Sequence, residues 1–163
     1  MNKNVGLKRD ILNQIVPYFR KDKRYYLLIC DTGFGVIDQL KKEFSHRIIN
    51  CGIMEQGTIS IAAGMSMSGL IPVVYSIMNF LVFRSFEQIR NDIVLQNLNV
   101  KLIGKGADNY FEFLGNSHCC GKDDIALMEM INMKVYDPCE KPEEFHGIVD
   151  NWIRDDKPGY IRI

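Results

Sequence analysis

Three polar side chains and one set of aromatics in this 163-residue sequence are of types and in places that could do chemistry. Glu55, in "NCGIMEQG", is the only acid between Glu43 and Glu87, and the small-residue stretch "TISIAAGMSMSG" follows it. A carboxylate among apolar neighbours holds or shares a proton unless it is paired, and such a group can hydrogen-bond a ring nitrogen. His118, in "GNSHCC", offers a proton carrier. Asp31 ends the apolar run "LLIC". Phe80, Phe83 and Phe86 recur at helical spacing, which suits core packing as well as a flat stacking surface for a ring.

Familiar alternatives fit less well. Asp31 with Lys105 at another strand end suggests a phospho-accepting receiver, but no acidic pair stands where one would hold magnesium. Position 33 is glycine, which removes the second acid of a DxD phosphatase. "GFG" (33–35) lacks the third glycine of a dinucleotide fingerprint and reads as a turn. "HCC" (118–120) has no second Cys or His pair at zinc-ligand spacing. His46 and His146 fall on helix or turn surfaces and carry no signal.

The elements that must position these residues alternate. "LKRDILNQIVPYF" places Leu7, Ile11, Leu12, Ile15 and Phe19 on one helical face, with Pro17 bending or ending it. Strands are expected at 25–30, 47–50, 71–77, 100–105, within "MKVYD", and in the closing "GYIRI". Helices are expected over 35–44, 55–68, 83–97, "DDIALMEMI" and "KPEEFHGIVDNWIRD". Strands that are apolar throughout, each followed by a helix, predict an α/β fold: a doubly wound, mostly parallel sheet with helices on both faces. Ligands then bind at the carboxyl ends of the strands, which selects 31–35, 52–56, 76–80, 104–118 and 137–140. The connection over 105–121 is longer than ordinary and reads as functional.

Bulk properties narrow the class. The formal net charge of +0 argues against gripping a phosphate backbone, so no nucleic-acid partner is expected. "RKDKR" (20–24) reads as a solvated helix end. The five cysteines are odd in number with no CxxC pair, which suits a reduced, cytoplasmic setting. The longest apolar stretch, 69–83, is interrupted by Pro72, Ser76 and Asn79 and is too short to span a membrane. The N-terminal residues lack the continuous apolar core of a signal peptide.

The stretch "NCGIMEQGTISIAAGMSMSGLIPVVYSIMNFLVFRSFEQIRND" resembles the pyrimidine-binding domain of transketolases and 1-deoxyxylulose-5-phosphate synthases. The motif residues fall in order: Gly52-Ile53-Met54-Glu55-Gln56, Ala62-Ala63-Gly64, Gly69 to Pro72, Phe80, and Glu87-Gln88 to Asp92. "GNSH", "DDIALMEMINMKVYDPCEKPEE" and "PGYIRI" extend the resemblance over nearly the whole chain. It implies thiamine diphosphate as cofactor, with Glu55 meeting N1′ of the aminopyrimidine and favouring the tautomer that removes the thiazolium C2 proton. It implies cofactor contacts from Asp31, Ile53, Ile77, Phe80 and Phe83, with Phe80 stacking on the pyrimidine. It also implies a substrate-facing Arg84 and a His118 that touches reacting oxygens.

The sequence departs from the family in three places. The Gly-Asp-Gly…Asn motif that holds metal and diphosphate is not found in residues 1–163, and neither is the third, C-terminal domain. The loop "FLGNSH" has Leu114 where the family has an acid facing a substrate hydroxyl. The expectation is a single pyrimidine-binding domain over 1–163 acting in a split enzyme. A separate diphosphate-binding subunit would hold Mg2+ or Ca2+, with two copies of each chain (α2β2). The substrates would be sugars or 2-oxo acids. A split 2-oxo acid decarboxylase and a non-catalytic module of the same fold are the alternatives. Met54, Ile77, Met78, Phe80 and Phe83 are expected to form an exposed apolar surface around the site.

Overall fold

The structure, a computed structural model, describes residues 4–163, the side chains of 4–9 and Gln39 excepted; Leu7 therefore lies outside the described side chains. The strands are β1 (Tyr25–Ile29), β2 (Ile48–Asn50), β3 (Ile71–Ile77), β4 (Lys101–Lys105), β5 (Lys134–Tyr136) and β6 (Gly159–Arg162). They form one sheet in the order β2-β1-β3-β4-β6-β5, with every neighbouring pair parallel. From β1 the chain steps outward to β2 and then returns to β1's other side as β3. The winding direction therefore reverses between β1 and β3. In open α/β sheets a crevice forms at the carboxyl ends of the strands at such a point.

The helices are α1 (Asn4–Lys21), α2 (Asp38–Glu43), α3 (Glu55–Met67), α4 (Met78–Val82), α5 (Phe86–Gln88), α6 (Asp123–Met130) and α7 (Phe145–Arg154). Ile11, Leu12, Ile15 and Phe19 of α1, Leu40 of α2 and Val149 and Trp152 of α7 cover one face of the sheet over Leu27, Val73 and Ile103. Ile59, Ala62 and Ala63 of α3, with Leu81, Ile93 and Met128, cover the other face over Leu28, Val74 and Leu102. Alternate residues of each strand thus feed two separate cores, which is why these strands read as unbroken apolar runs. Among the described residues no helix is long and apolar enough to cross a membrane.

One expectation about helices is narrowed and one is corrected. Pro17 does not end α1, which continues to Lys21. Pro17 lies on the exposed side, and burial of Val16 and Phe19 on either side of it outweighs one missing N–H bond. The helix expected over 83–97 is broken and begins earlier. The chain enters α4 directly from β3 at Met78, breaks near Ser85, and resumes as α5 with a π-helical continuation over Ile89–Val94. The widened turn is seen in the bond from Leu95 N to Arg90 O at 3.0 Å.

The long connection over 106–121 is pinned at several points. It carries three single 3-10 turns, at Ala107–Asn109, Glu112–Leu114 and Asn116–His118. The amides of Gly106 and Ala107 donate to Ile163 O at 2.7 and 3.0 Å, and Gly121 N donates to Asn109 Oδ1 at 2.8 Å. A side chain is excluded at Gly104, where a Cβ would sit 2.5 Å from the Tyr160 hydroxyl.

Candidate active site

Glu55 is the first residue of α3 and lies at the reversal point of the sheet. There the loop after β2 turns into the helix beside the carboxyl end of β3. A negative charge at a helix start is favoured by the helix dipole. The side chain is 1% exposed. It is paired, so the conditional expectation of a solitary acid is resolved in favour of a partner. Ser76 Oγ, fully buried at the end of β3, donates to Oε1 at 2.9 Å. Arg84 Nη1 donates to Oε2 at 2.5 Å.

The direct passage from β3 into α4 sets Phe80 and Arg84 one helical turn apart on the same side. The Arg84 guanidinium lies over the Phe80 ring, with Cζ 4.5 Å from the centroid. Phe80 also meets the His118 ring in a T-shaped contact, at 4.9 Å between centroids and 74° between planes. His118 is held by its own loop: Ser117 Oγ lies 3.0 Å from Nδ1, which leaves Nε2 available. Asn79 Nδ2 donates to the carbonyls of Ser117 and Cys119 at 3.1 and 2.9 Å, tying α4 to the His118 turn. Glu55, Arg84, Phe80 and His118 therefore form one continuous chain of contacts.

The other predicted residues do not join this chain of contacts. Asp31 has φ 47° and is exposed, and its amide and carboxylate are clasped by Asn50 at 3.1 and 3.2 Å. Asn50 also accepts from Gly52 N at 3.0 Å, so the ends of β1 and β2 and the approach to Ile53 are fixed together. Ile53 is 71% exposed, Phe83 48% and Met54 46%, whereas Ile77 and Phe80 are half-buried. Met78 departs from the expected apolar surface. It is wholly buried against Ala107 and Cys120, because the strand-to-helix turn points it inward. The Cys30 thiol beside the site is pushed up to about 11, mainly by burial, and donates to Thr58. It stays a protonated, inert core group.

Ser76, Asn50 and Asn79 were not singled out from the sequence. Ser76 could have been found as the one serine in the buried run "IPVVYSI" that ends at the site. A buried carboxylate set beside a half-buried aromatic face suits a flat nitrogen heterocycle, with an in-plane N–H directed at Glu55 and a ring face laid on Phe80. Among the described residues no group of three or more His, Cys, Asp or Glu side chains could hold a metal ion.

The family model described as the transketolase pyrimidine binding domain matches residues 18–163. The chain belongs to the transketolase family through this domain. It is 35% identical over 133 residues, 81% of this chain and 42% of the relative, to an apulose-4-phosphate transketolase subunit of Actinobacillus succinogenes. It is 26% identical over 159 residues, 96% of this chain and 49% of the relative, to a 6-deoxy-6-sulfo-D-fructose transketolase subunit of Clostridium sp. strain MSTE9. Among solved structures, a split gene transketolase described as an inactive beta4 tetramer superposes with a TM-score of 0.81. That match has 30% identity over 96% of this chain and 50% of the other. The transketolase of Campylobacter jejuni shares the fold, with a TM-score of 0.72 and 16% identity over 95% of this chain and 25% of the other. The chain spans about half the length of the curated apulose-4-phosphate transketolase relatives it matches.

Proposed function

We propose that this chain supplies the pyrimidine side of a thiamine-diphosphate-dependent transketolase-like enzyme, one that moves a ketol or acyl unit between sugar-like or 2-oxo acid substrates. The observation that carries this reading is the buried Glu55 carboxylate, set at the reversal point of the sheet beside the Phe80 ring. Family membership supports it. When bound, the cofactor supplies an acidic thiazolium C–H and an electron sink next to a carbonyl carbon. Glu55 would take the hydrogen bond of pyrimidine N1′ and hold the shared proton there. Ser76 fixes the orientation of that carboxylate, and Phe80 gives the ring a face to lie on. His118, with Nδ1 engaged by Ser117, presents Nε2 to substrate oxygens. Asp31, Ile53, Ile77 and Phe83 line the approach.

The diphosphate and its Mg2+ or Ca2+ would be held by a separate diphosphate-binding subunit, in an assembly with two copies of each chain. The exposed Ile53, Met54 and Phe83 suit a surface covered by that partner. The names of the transketolase-subunit relatives support a split arrangement and an anionic sugar as substrate. Arg84, whose side chain is 38% exposed, is placed to meet such an anion. Five free cysteines fit a reduced cytoplasmic setting.

The test is Glu55→Gln, read by deuterium exchange at the cofactor C2 in the complex reconstituted with the diphosphate-binding subunit. Cofactor should still bind through stacking and the metal-held diphosphate. Exchange should fall at least about tenfold, equivalent to about 1.4 kcal/mol of lost transition-state stabilisation. Unchanged exchange would return the chain to the reading of a non-catalytic module.

A further inference from the structure

We infer that Arg84 is a place-holder: its guanidinium occupies the Glu55–Phe80 receptor until a flat nitrogen heterocycle takes its place. The two contacts that such a ring would need are an in-plane N–H donated to Glu55 and a face laid on Phe80. Arg84 makes both at once, with Nη1 2.5 Å from Glu55 Oε2 and Cζ 4.5 Å from the Phe80 centroid. A guanidinium is itself flat, cationic and edged with N–H donors, so it matches the receptor in shape and in polarity. Two flat groups cannot lie on one face of one ring. The rest of the receptor is held by other groups: Ser76 engages Oε1, and the His118 ring packs against Phe80 at 74° between planes. Entry of the ring therefore requires Arg84 to leave.

The geometry also makes leaving easy. Arg84 gives Glu55 a single hydrogen bond, and no other acid accepts from it among the described residues. Its side chain is 38% exposed, so water can take over the released donors. While it stays, the buried carboxylate keeps a counter-charge and the Phe80 ring stays covered. Arg84 is thus a positioning residue that keeps the receptor assembled, at a cost in apparent affinity. A receptor closed nine-tenths of the time weakens the observed dissociation constant about tenfold.

This inference rests on the proposed function, and its test separates the two. The probe is the hydroxymethyl aminopyrimidine that forms the cofactor's pyrimidine half. It is titrated into the full chain while the Phe80 and His118 ring resonances are followed by NMR. Arg84→Met and Arg84→Gly should each bind the probe about tenfold more tightly than the unaltered chain. Methylguanidinium added to Arg84→Gly should refill the space, shift the Phe80 resonances and return probe affinity towards that of the unaltered chain; a merely structural arginine would not behave so. Equal or weaker probe binding in both variants would overturn the place-holder and leave the proposed role of Glu55 standing. Failure of the probe to bind any of the three chains, while methylguanidinium still shifts Phe80 in Arg84→Gly, would overturn both.

Discussion

Two buried carboxylate–arginine pairs stand at the carboxyl end of this sheet, and they are built differently. Around Asp124 every group is used. Arg162 Nε donates to Asp124 Oδ2 at 3.0 Å, Nη1 to Asp137 Oδ2 at 2.7 Å and Nη2 to Gly121 O at 2.9 Å. The Tyr160 hydroxyl donates to Asp124 Oδ2 at 2.7 Å. The Asp124 and Arg162 side chains are both fully buried. Burial alone would ease the proton off Arg162, but Asp137 and Asp124 more than offset it and hold the charge firmly. Around Glu55 the acid is equally buried, yet its arginine gives one bond and faces solvent. A saturated pair ties β6, α6 and the turn after β5 together; an unsaturated one leaves a polar receptor that another molecule can enter.

The largest expected effect follows from removing one partner of each pair. Arg162→Met leaves Asp124 buried without its counter-charge, which costs about 3–5 kcal/mol for a pair of this kind. In Arg84→Met the arginine lost is 38% exposed, and its removal opens a path for water to Glu55, so the thermal melt should fall by clearly less than in Arg162→Met. Melts of the two variants side by side check the comparison. An Arg162→Met chain that melts with the parent, or an Arg84→Met chain that collapses, would break it.

A middle-sized effect concerns a cation that belongs to neither pair. Lys105, at the end of β4, has its ammonium 5.5 Å from the Tyr75 centroid and 5.4 Å from that of Phe111. Burial pushes it down to about 8 from the ordinary 10.5. Between those values the unfolded chain binds more protons than the folded one, so this group makes stability rise with pH across the window. Below pH 8 its full penalty stands. Lys105→Met should therefore stabilise the chain at pH 7, by on the order of 1 kcal/mol once the lost ring contacts are discounted. The advantage should vanish towards pH 10.5. Denaturant melts of both chains across that range check it, since the other titrating groups are common to the two. A variant less stable at pH 7 would show that the ammonium is compensated after all, and the contrast between saturated and unsaturated charges would lose force.

What the sequence revealed follows the same physical lines. The apolar runs of β1, β3 and β4 were legible because a strand buried on both faces has no polar alternation to blur it. Glu55 was legible because it is a lone acid in a long stretch without others. The break between β3 and α4 was not. "IPVVYSIMNFLVF" carries no glycine, and no proline after its second residue, to mark a strand that turns straight into a helix. Phe80, Arg84 and His118 were placed by resemblance rather than by spacing, since their contacts depend on that unmarked turn. The Asp124–Arg162 pair was invisible. Its members lie 38 residues apart, and each alone reads as an ordinary helix-start acid or strand-end base. Ser76 was passed over because one serine in an apolar strand has many uses.

The smallest expected effect sharpens what separates the two pairs, by asking whether depth or saturation decides the cost of a lost hydroxyl. Ser76→Ala and Tyr160→Phe each delete one neutral donor to a buried carboxylate, and both hydroxyl-bearing residues are fully buried. If depth decided, Tyr160→Phe would cost more, since the whole Asp124 cluster lies inside the protein. Saturation predicts the reverse. Asp124 Oδ2 keeps Arg162 Nε after the tyrosine hydroxyl is gone, and the phenyl ring of the variant still fills the space beside Gly104. Glu55 Oε1 has Ser76 as its side-chain donor, and alanine leaves that oxygen with an unmatched lone pair facing the core. An unsatisfied buried acceptor costs about 1–3 kcal/mol, against about 0.5–1.5 kcal/mol for a hydrogen bond whose partner finds another. Ser76→Ala should therefore be the more destabilising by about 1 kcal/mol, measured by chemical denaturation at pH 7 with the two variants in parallel. Tyr160→Phe proving the costlier would mean that Arg162 does not cover for the lost hydroxyl, and that the Asp124 cluster is less saturated than its geometry implies.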